Sequence, residues 1–381
     1  MAEKELSEQE IEEFRKRRIP CLGTFIHPFR LVNNLETPEW DATIEQINSA
    51  SWDYVALHEM VGGIDVGLES PYHLVVCRDG AIAVPPIREL RDETAAVTFF
   101  NRTLAALLLG GVYCEAISLD GVGFGSIIDW KYLRIRKQSH AAPNRFHELI
   151  RSQRASPLEA IPLLQPRSIE FDEIHKAITT GIKILDEIPQ LEGEFLLRGV
   201  TGVARRDWGL ALANLWIAIE QLTSYFWEEK VLKPAKKEAL FSSRVDQLSD
   251  NRTWTVSARH EMLFQKEELD KETYALLTKA RKARNALSHQ GKHPNSEIGH
   301  SALNAFKQML SKALPDKTIP FNDMDVDNHF MSDPFEPREP QIISNPQYFM
   351  EIFKLPGELE LEQMEAKIRR QLNRTRQIEE E

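Results

Sequence analysis

Apolar and polar positions change rhythm twice along this chain. Residues 4–18 space Ile11 and Phe14 at helical intervals behind a Ser7/Glu10 capping box, which predicts a short N-terminal helix within residues 1–18. From Cys21 to about Arg136 the apolar runs become short and strand-like, at 23–29, 54–58, 73–77, 81–84, 112–118 and 126–128. Turn signals separate them, notably Arg78-Asp79-Gly80 and the stretch 119–125. One helical stretch interrupts, at 92–109, with Ala95, Phe99, Leu104, Leu107 and Leu108 on or near one face. The expectation is a mixed α+β domain over residues 19–140. No β-α-β alternation is long enough for a nucleotide-binding sheet.

Residues 141–167 carry repeated Ser-Pro, Ile-Pro and Gln-Pro steps and read as a linker. Helical periodicity then takes over at 168–187, 207–229, 234–249, 256–268, 271–290 and 296–313. Short connections between these segments predict an all-α helical bundle over 168–314. Beyond 315 the chain turns rich in Pro, Asp and Asn, as an extended arm would. A final charged helix is expected at 358–380, its stripe of Leu361, Met364, Ile368 and Leu372 suited to the protein's own body or to a second copy. The fold class expected is therefore α+β: a mixed N-terminal domain, a C-terminal helical bundle, and an extended tail, 315–381, ending in a helix.

Composition narrows the functional classes. The 381 residues allow two or three domains. A net charge of −11 argues against a general nucleic-acid coat protein, which needs widespread positive surface. Cys21, Cys77 and Cys114 are odd in number and far apart, with no C-x-x-C, so reduced buried thiols are expected rather than disulfides or zinc. The N-terminus lacks the apolar core of a signal peptide, and the longest apolar run, 104–114, is too short to span a bilayer. A cytoplasmic protein without membrane contact is expected.

Several motifs are weak once weighed. Gly121-Val-Gly-Phe-Gly125 is followed by a strand-like run rather than a helix, so a hairpin turn is the reading over a phosphate loop. Lys131, Arg134, Arg136 and Lys137 suit a solvated edge strand, with RNA-backbone contact the sharper alternative. His58-Glu59 lacks the second histidine of H-E-x-x-H, and His293 and His300 have no ligand spacing. Ser288 and His289 are helical neighbours and point apart.

One stretch stands out. Between Thr273 and Ser296 there is no Asp or Glu, while Lys279, Arg281, Lys282, Arg284 and Lys292 are present with His289 and His293. A basic island in an acidic chain is a place to hold an anion. Much of it has a plain structural account: Tyr274, Leu277, Ala280, Arg284 and Leu287 share a face, Gly291 sits at a C-cap position, and cations near a helix C-terminus oppose its dipole. Two features exceed that account. Asn285 and His289 are four apart, so the amide can orient the imidazole. Arg284 and His289 are five apart, roughly 140° around an ideal helix, so they meet only if the last turn loosens or a second surface completes the pocket. Upstream, Glu220 is the only ionisable residue between Asp207 and Tyr225 in a nearly all-apolar helix. A buried carboxylate needs a partner, and the cations of 279–289 are the expected one, with Glu220 as a positioning group.

Arg284-Asn-Ala-Leu-Ser-His289, with the Trp216-Ile-Ala-Ile-Glu-Gln-Leu222 helix before it and Gly291 after it, resembles the R-x(4–6)-H signature of the HEPN superfamily, especially its Apea-like branch. The resemblance covers roughly residues 200–315. It implies a HEPN-like bundle acting as a metal-independent RNA endonuclease, a homodimer or higher even oligomer in which two signature helices face each other. No cofactor or metal is implied. The chemistry is coherent: RNA carries its own nucleophile, the 2′-hydroxyl, beside the scissile phosphate. His289, with a reference pKa of about 6.5, can exchange protons at neutral pH, and Arg284 can fork onto phosphate oxygens. Asn285 would orient the imidazole or touch the phosphate, with Arg281, Lys282 and Lys292 as substrate-binding cations. The products would be a 2′,3′-cyclic phosphate and a 5′-hydroxyl, with DNA inert. Similar nucleases act as bacterial toxins and anti-phage effectors on tRNA or other RNA, and the N-terminal domain would answer a protein or phage-derived trigger. The other reading is a HEPN-type module that binds RNA or nucleotides, or scaffolds a partner, without cutting.

Overall fold

A computed structural model describes residues 18–68, 72–85, 88–90, 92–135, 142–238, 243–327 and 364. The helices expected at 4–18 and 358–380 lie outside the described residues, apart from positions 18 and 364, as do Arg136, Lys137 and the arm beyond 327.

Strand β1 (Ile19–Phe25) is central to a six-stranded antiparallel sheet with β3 (Met60–Ile64), β4 (Leu74–Cys77), β5 (Ala81–Val84), β6 (Gly123–Ile128) and β7 (Tyr132–Ile135). The order is β3-β4-β5-β1-β6-β7. Period-two alternation sorts the side chains. Cys21, Phe25, Val75, Cys77, Ala81 and Ala83 pack with Ile127 and Leu133 in a cluster of their own, while Leu22, Val76, Ile82 and Val84 join the core shared with the helices. The sheet curls until its edges meet at one corner: the Met60 amide donates to Lys131 O at 2.8 Å and the Leu133 amide to His58 O at 2.9 Å. Pairing there covers part of both exposed edges. A separate parallel pair joins β2 (Leu31–Asn33) to β8 (Ser168–Glu170).

Eight helices of ten residues or more occur among the described residues. They are α1 (Glu93–Leu109), α2 (Ala142–Arg151), α3 (Phe171–Glu187), α4 (Gly193–Ala204), α5 (Trp208–Trp227), α6 (Val256–Gln265), α7 (Lys271–Gln290) and α8 (Ser296–Ala313). None is long and apolar enough to cross a membrane. Helix α1 leaves the sheet region to lie against α3 at backbone distance. A Cβ on Gly181 would stand 1.9 Å from Ala106 O, and one on Gly110 would stand 2.1 Å from Ala177 O. Through this contact one core runs from Leu22 in β1 to Phe306 in α8 and Phe321 beyond it. Sheet and helices therefore share an interior, where the sequence suggested two domains with a linker between.

The expected linker, 141–167, is folded. It forms α2, a short helix Pro157–Ala160 and a 3-10 turn Ile161–Leu163, with His147, Ile150, Ala160 and Leu163 fully buried. Its prolines serve helix starts, as at Pro157 behind a Ser156/Glu159 capping box. The start of the arm is seated too, with Ile319, Phe321, Met324 and Val326 buried. Residues 54–58 are not a strand. Asp53 caps Val55 and Ala56, making a short helix Tyr54–Leu57. The run at 112–118 forms no strand, and Gly121–Gly125 is the end of a 3-10 turn running directly into β6 rather than a hairpin.

The Arg78-Asp79-Gly80 turn conceals a buried ion pair. Arg151 of α2 donates Nε to Asp79 Oδ2 and Nη2 to Oδ1, both at 2.6 Å, and Nη1 to Leu133 O at 3.0 Å. Burial alone would raise the Asp79 carboxyl, but the guanidinium outweighs it and holds the group well below the usual carboxylate range. His147 Nδ1 lies 3.3 Å from the same carboxylate. His27 Nε2 lies 2.8 Å from Asn144 Oδ1, and Asn144 donates to Gly121 O. Burial, with the charges of His147 and Arg205 adding to it, pushes His27 from its ordinary 6.5 down to about 3. The three thiols are buried and free, and burial raises Cys21 to about 12.

Two outcomes are expected. Gly181→Ala should lower the unfolding free energy by about 2 kcal/mol, because the new methyl meets backbone that cannot step aside, seen as a lower urea midpoint. Stability should fall as pH drops from about 6.5 toward 3, since the unfolded His27 binds a proton over that window and the folded one does not. Loss of the Asp79 pairing adds to the fall below its unfolded value of 3.8. Urea midpoints taken across that range should decline less steeply for His27→Gln.

Candidate functional site

Helix α7 begins where Asp270 accepts the Thr273 amide at 2.7 Å. Asp270 also meets Lys312 at 2.7 Å, and these contacts, the lysine's first, hold its carboxyl at about 2. Thr273, Leu277 and Ala280 are the buried face. The helix ends at Gly291, whose φ of +64° lets its amide reach Leu287 O at 3.1 Å while Lys292 reaches Ala286 O at 3.3 Å.

Its basic end is largely unneutralised. Lys279 pairs with Glu297 at 2.5 Å. Among the described residues no carboxylate lies within ion-pair distance of Arg281, Lys282, Arg284 or Lys292. Lys282, Asn285, His289 and Lys292 are exposed, while Arg281 and Arg284 are half-buried.

The three signature residues are not brought onto one point. The helix stays regular through Gln290, so no loosened turn draws Arg284 and His289 together. Arg284 projects within about 20° of Leu277, toward the packed side, and His289 within about 20° of exposed Lys282. Asn285 does not orient His289: its Oδ1 is turned to Arg284 Nη1, at a long 3.5 Å. The sequence offered only the imidazole at i+4 as its side-chain partner, and the structure turns the amide to the neighbouring guanidinium instead.

Glu220 also has a different partner from the one expected. Trp216, one turn earlier on α5 and itself buried, donates its indole N–H to Glu220 Oε1 at 2.6 Å. The carboxylate is half-buried, so it needs no cation from α7. Beyond Trp216 sits a buried histidine that sequence reasoning passed over. His260 of α6 lies 2.8 Å from Thr223 Oγ1, and Thr223 donates to Ile219 O. The hydroxyl proton is thus used, and His260 Nε2 must carry the hydrogen between them. Burial, with the Arg281 charge adding to it, pushes His260 down to about 4, so it is neutral at pH 7. Nothing in the linear spacing signals this contact between α5 and α6; the Trp216–Glu220 bond, at i and i+4, was legible.

A cleft of about 450 Å³ opens between the end of α7 and the start of α8. Lys279, Lys282, Lys292 and His293 line it, over Ala283, Ala286 and Ile298. Of the expected substrate-binding cations, Lys282 and Lys292 belong to this cleft, and Arg281 does not. Elsewhere, Lys131 is engaged with Glu59 at 3.6 Å and with the Tyr132 ring, while Arg134 is exposed on β7, as a solvated edge requires. Among the described residues no group of three or more His, Cys, Asp or Glu side chains is placed to hold a metal ion.

No family model matches the chain, and no curated protein or solved structure matches it.

The Glu220 contact yields a stability prediction. Glu220→Gln keeps an oxygen for the Trp216 indole and should shift unfolding by less than about 0.5 kcal/mol. Glu220→Leu strands the buried N–H and should cost about 1–3 kcal/mol, measured by urea unfolding. Equal costs for the two variants would contradict the assignment.

Proposed function

We propose that the chain is a metal-independent RNA endonuclease whose active site is built on the basic end of α7. The observation that carries this reading is an exposed imidazole, His289, on a helix end where four cations have no carboxylate partner among the described residues. Such an end attracts a polyanion and supplies an imidazole, a side chain suited to general acid–base work. The RNA 2′-hydroxyl attacks the adjacent phosphorus and His289 accepts its proton. The P–O5′ bond breaks, the 5′-oxygen leaves as a hydroxyl after taking a proton from water, and Arg284 stabilises charge on the phosphate oxygens. Arg281, Lys282 and Lys292 hold the flanking backbone. Arg284 and His289 diverge by about 140° within one chain, so a second copy related by a two-fold axis completes each site. The resemblance to toxin and anti-phage nucleases supports tRNA or other cellular RNA as substrate, with the N-terminal α+β region as the sensor or regulatory part that gates cleavage.

That same divergence, together with Asn285 facing Arg284 rather than His289, favours a second reading: an RNA-binding module that does not cut. Incubating the full chain with total tRNA in EDTA separates the two. The nuclease reading expects fragments with 2′,3′-cyclic phosphate ends. It also expects at least about a hundredfold loss in His289→Ala and Arg284→Ala, each shown to be folded. RNA bound but intact, with and without added divalent metal, supports the module instead.

A further inference from the structure

We infer that the cleft between α7 and α8 is a subsite for a single nucleotide of the RNA, one that selects the base beside the cleavage point. This rests on the RNA reading of the basic end of α7, and it concerns lining residues other than the three signature residues Arg284, Asn285 and His289. A volume of about 450 Å³ is in the range that encloses a small organic group, about 300–1,000 Å³. Its floor is small and apolar, with Ala283 and Ala286 of α7 facing Ile298 of α8, and its rim carries Lys279, Lys282 and Lys292. An apolar lining of small side chains beside cations matches a group that joins an apolar ring to a phosphate, which is the chemistry of a nucleoside phosphate. An acidic peptide would use the rim and leave the floor empty.

Charge placement agrees. Glu297 is drawn to Lys279, and Lys282 and Lys292 have no carboxylate partner among the described residues. The first turn of α8 borders the same cleft. Asn295 satisfies the Ile298 amide at 3.2 Å, while helix geometry leaves the amides before it without intrahelical acceptors. Location supplies the link to the proposed reaction. His289 projects within about 20° of Lys282 and lies about 10 Å further along the axis, so the cleft opens on the imidazole's side of the helix. A base seated there belongs to a nucleotide neighbouring the phosphate that His289 would serve.

The test is binding of fluorescent five-nucleotide RNAs, one for each base, to the full-length His289→Ala protein, which keeps substrates intact. The expected result is a preference for one base that Ala286→Trp abolishes, weakening the preferred RNA by about tenfold, the weight of one lost base contact. Ala286 is only half-buried on the helix surface, and Lys292→Gln, at an exposed position, provides a second variant should the tryptophan disturb the fold. Lys292→Gln should weaken all four RNAs and lessen their salt dependence. Unchanged affinity and base preference in the Ala286→Trp protein overturn the subsite, whether or not the wild type cuts RNA. Nucleoside monophosphates that bind more tightly than the RNAs assign the cleft to free nucleotides and overturn it, as does equal competition by polyglutamate. Preference lost in Ala286→Trp while the wild type leaves tRNA uncut keeps the subsite and removes the nuclease.

Discussion

Everything C-terminal to the sheet hangs on the place where α1 and α3 touch backbone to backbone. Glycine inside a helix costs roughly 0.5–1 kcal/mol against alanine, so a glycine at this crossing must be offset by what the close approach allows. Here it lets Ala106 sit on Gly181 and Ala177 on Gly110, and it draws Leu104 to Leu109 into the same interior as Ile174 and Ile178. Helices α4 and α5 extend that interior, and α7 and α8 close it. The basic end of α7 is thus anchored through continuous packing to a sheet whose own strands lie far upstream in sequence. A regulatory signal from the sheet would have to travel as a repacking of these helices, because the described strands and helices share one core.

The sheet has its own internal constraint. Asp79 and Arg151 are both withdrawn from water, which is costly unless the geometry is good and the remaining polar atoms are satisfied. Two 2.6 Å contacts to the carboxylate and a third bond to Leu133 O meet that condition. The pair ties the β4–β5 turn to α2 and, through Leu133, to β7. Those are the pieces that must come together for the curl to close near His58 and Lys131. The desolvation cost of such a pair offsets much of its Coulombic gain, so its net contribution to stability is small. Replacing it with apolar groups could leave the fold as stable while freeing α2 from the turn.

How much of this was legible depends on how far apart the partners are in the chain. Helices α7 and α8 were read almost to the residue because Asp270, Gly291 and Asn295 are local stop and start signals. Strands β4 and β5 were legible for the same reason, as short apolar runs about a turn. The stretch 54–58 misled because a four-residue helix is too short to show periodicity, and its one clear mark, Asp53, stands outside the apolar run. The region 141–167 misled because its prolines resembled those of a linker, whereas its burial depends on Asp79, Phe25 and Leu133, all distant in sequence. Glu220 shows the same limit from the other side. A buried carboxylate paired with a distant cation was expected, whereas Glu220 is half-buried and meets Trp216 one turn away. The sequence placed the candidate residues on one helix, and it did not show how their side chains are arranged.

That distinction bears on the proposed chemistry. A regular helix cannot place residues five apart on one phosphate, and α7 is regular through Gln290. If the Arg284–His289 pair acts at all, it acts across an interface. An interface that brings two such helix ends together also brings together two sets of unpaired cations, and their repulsion opposes association when nothing lies between them. A polyanion threaded between the copies removes that penalty. Assembly and RNA binding would then be linked equilibria, each raising the affinity of the other by the same factor. On this reading the basic ends are more than a binding surface: their mutual repulsion would keep the nuclease apart until the substrate itself supplies the counter-charge.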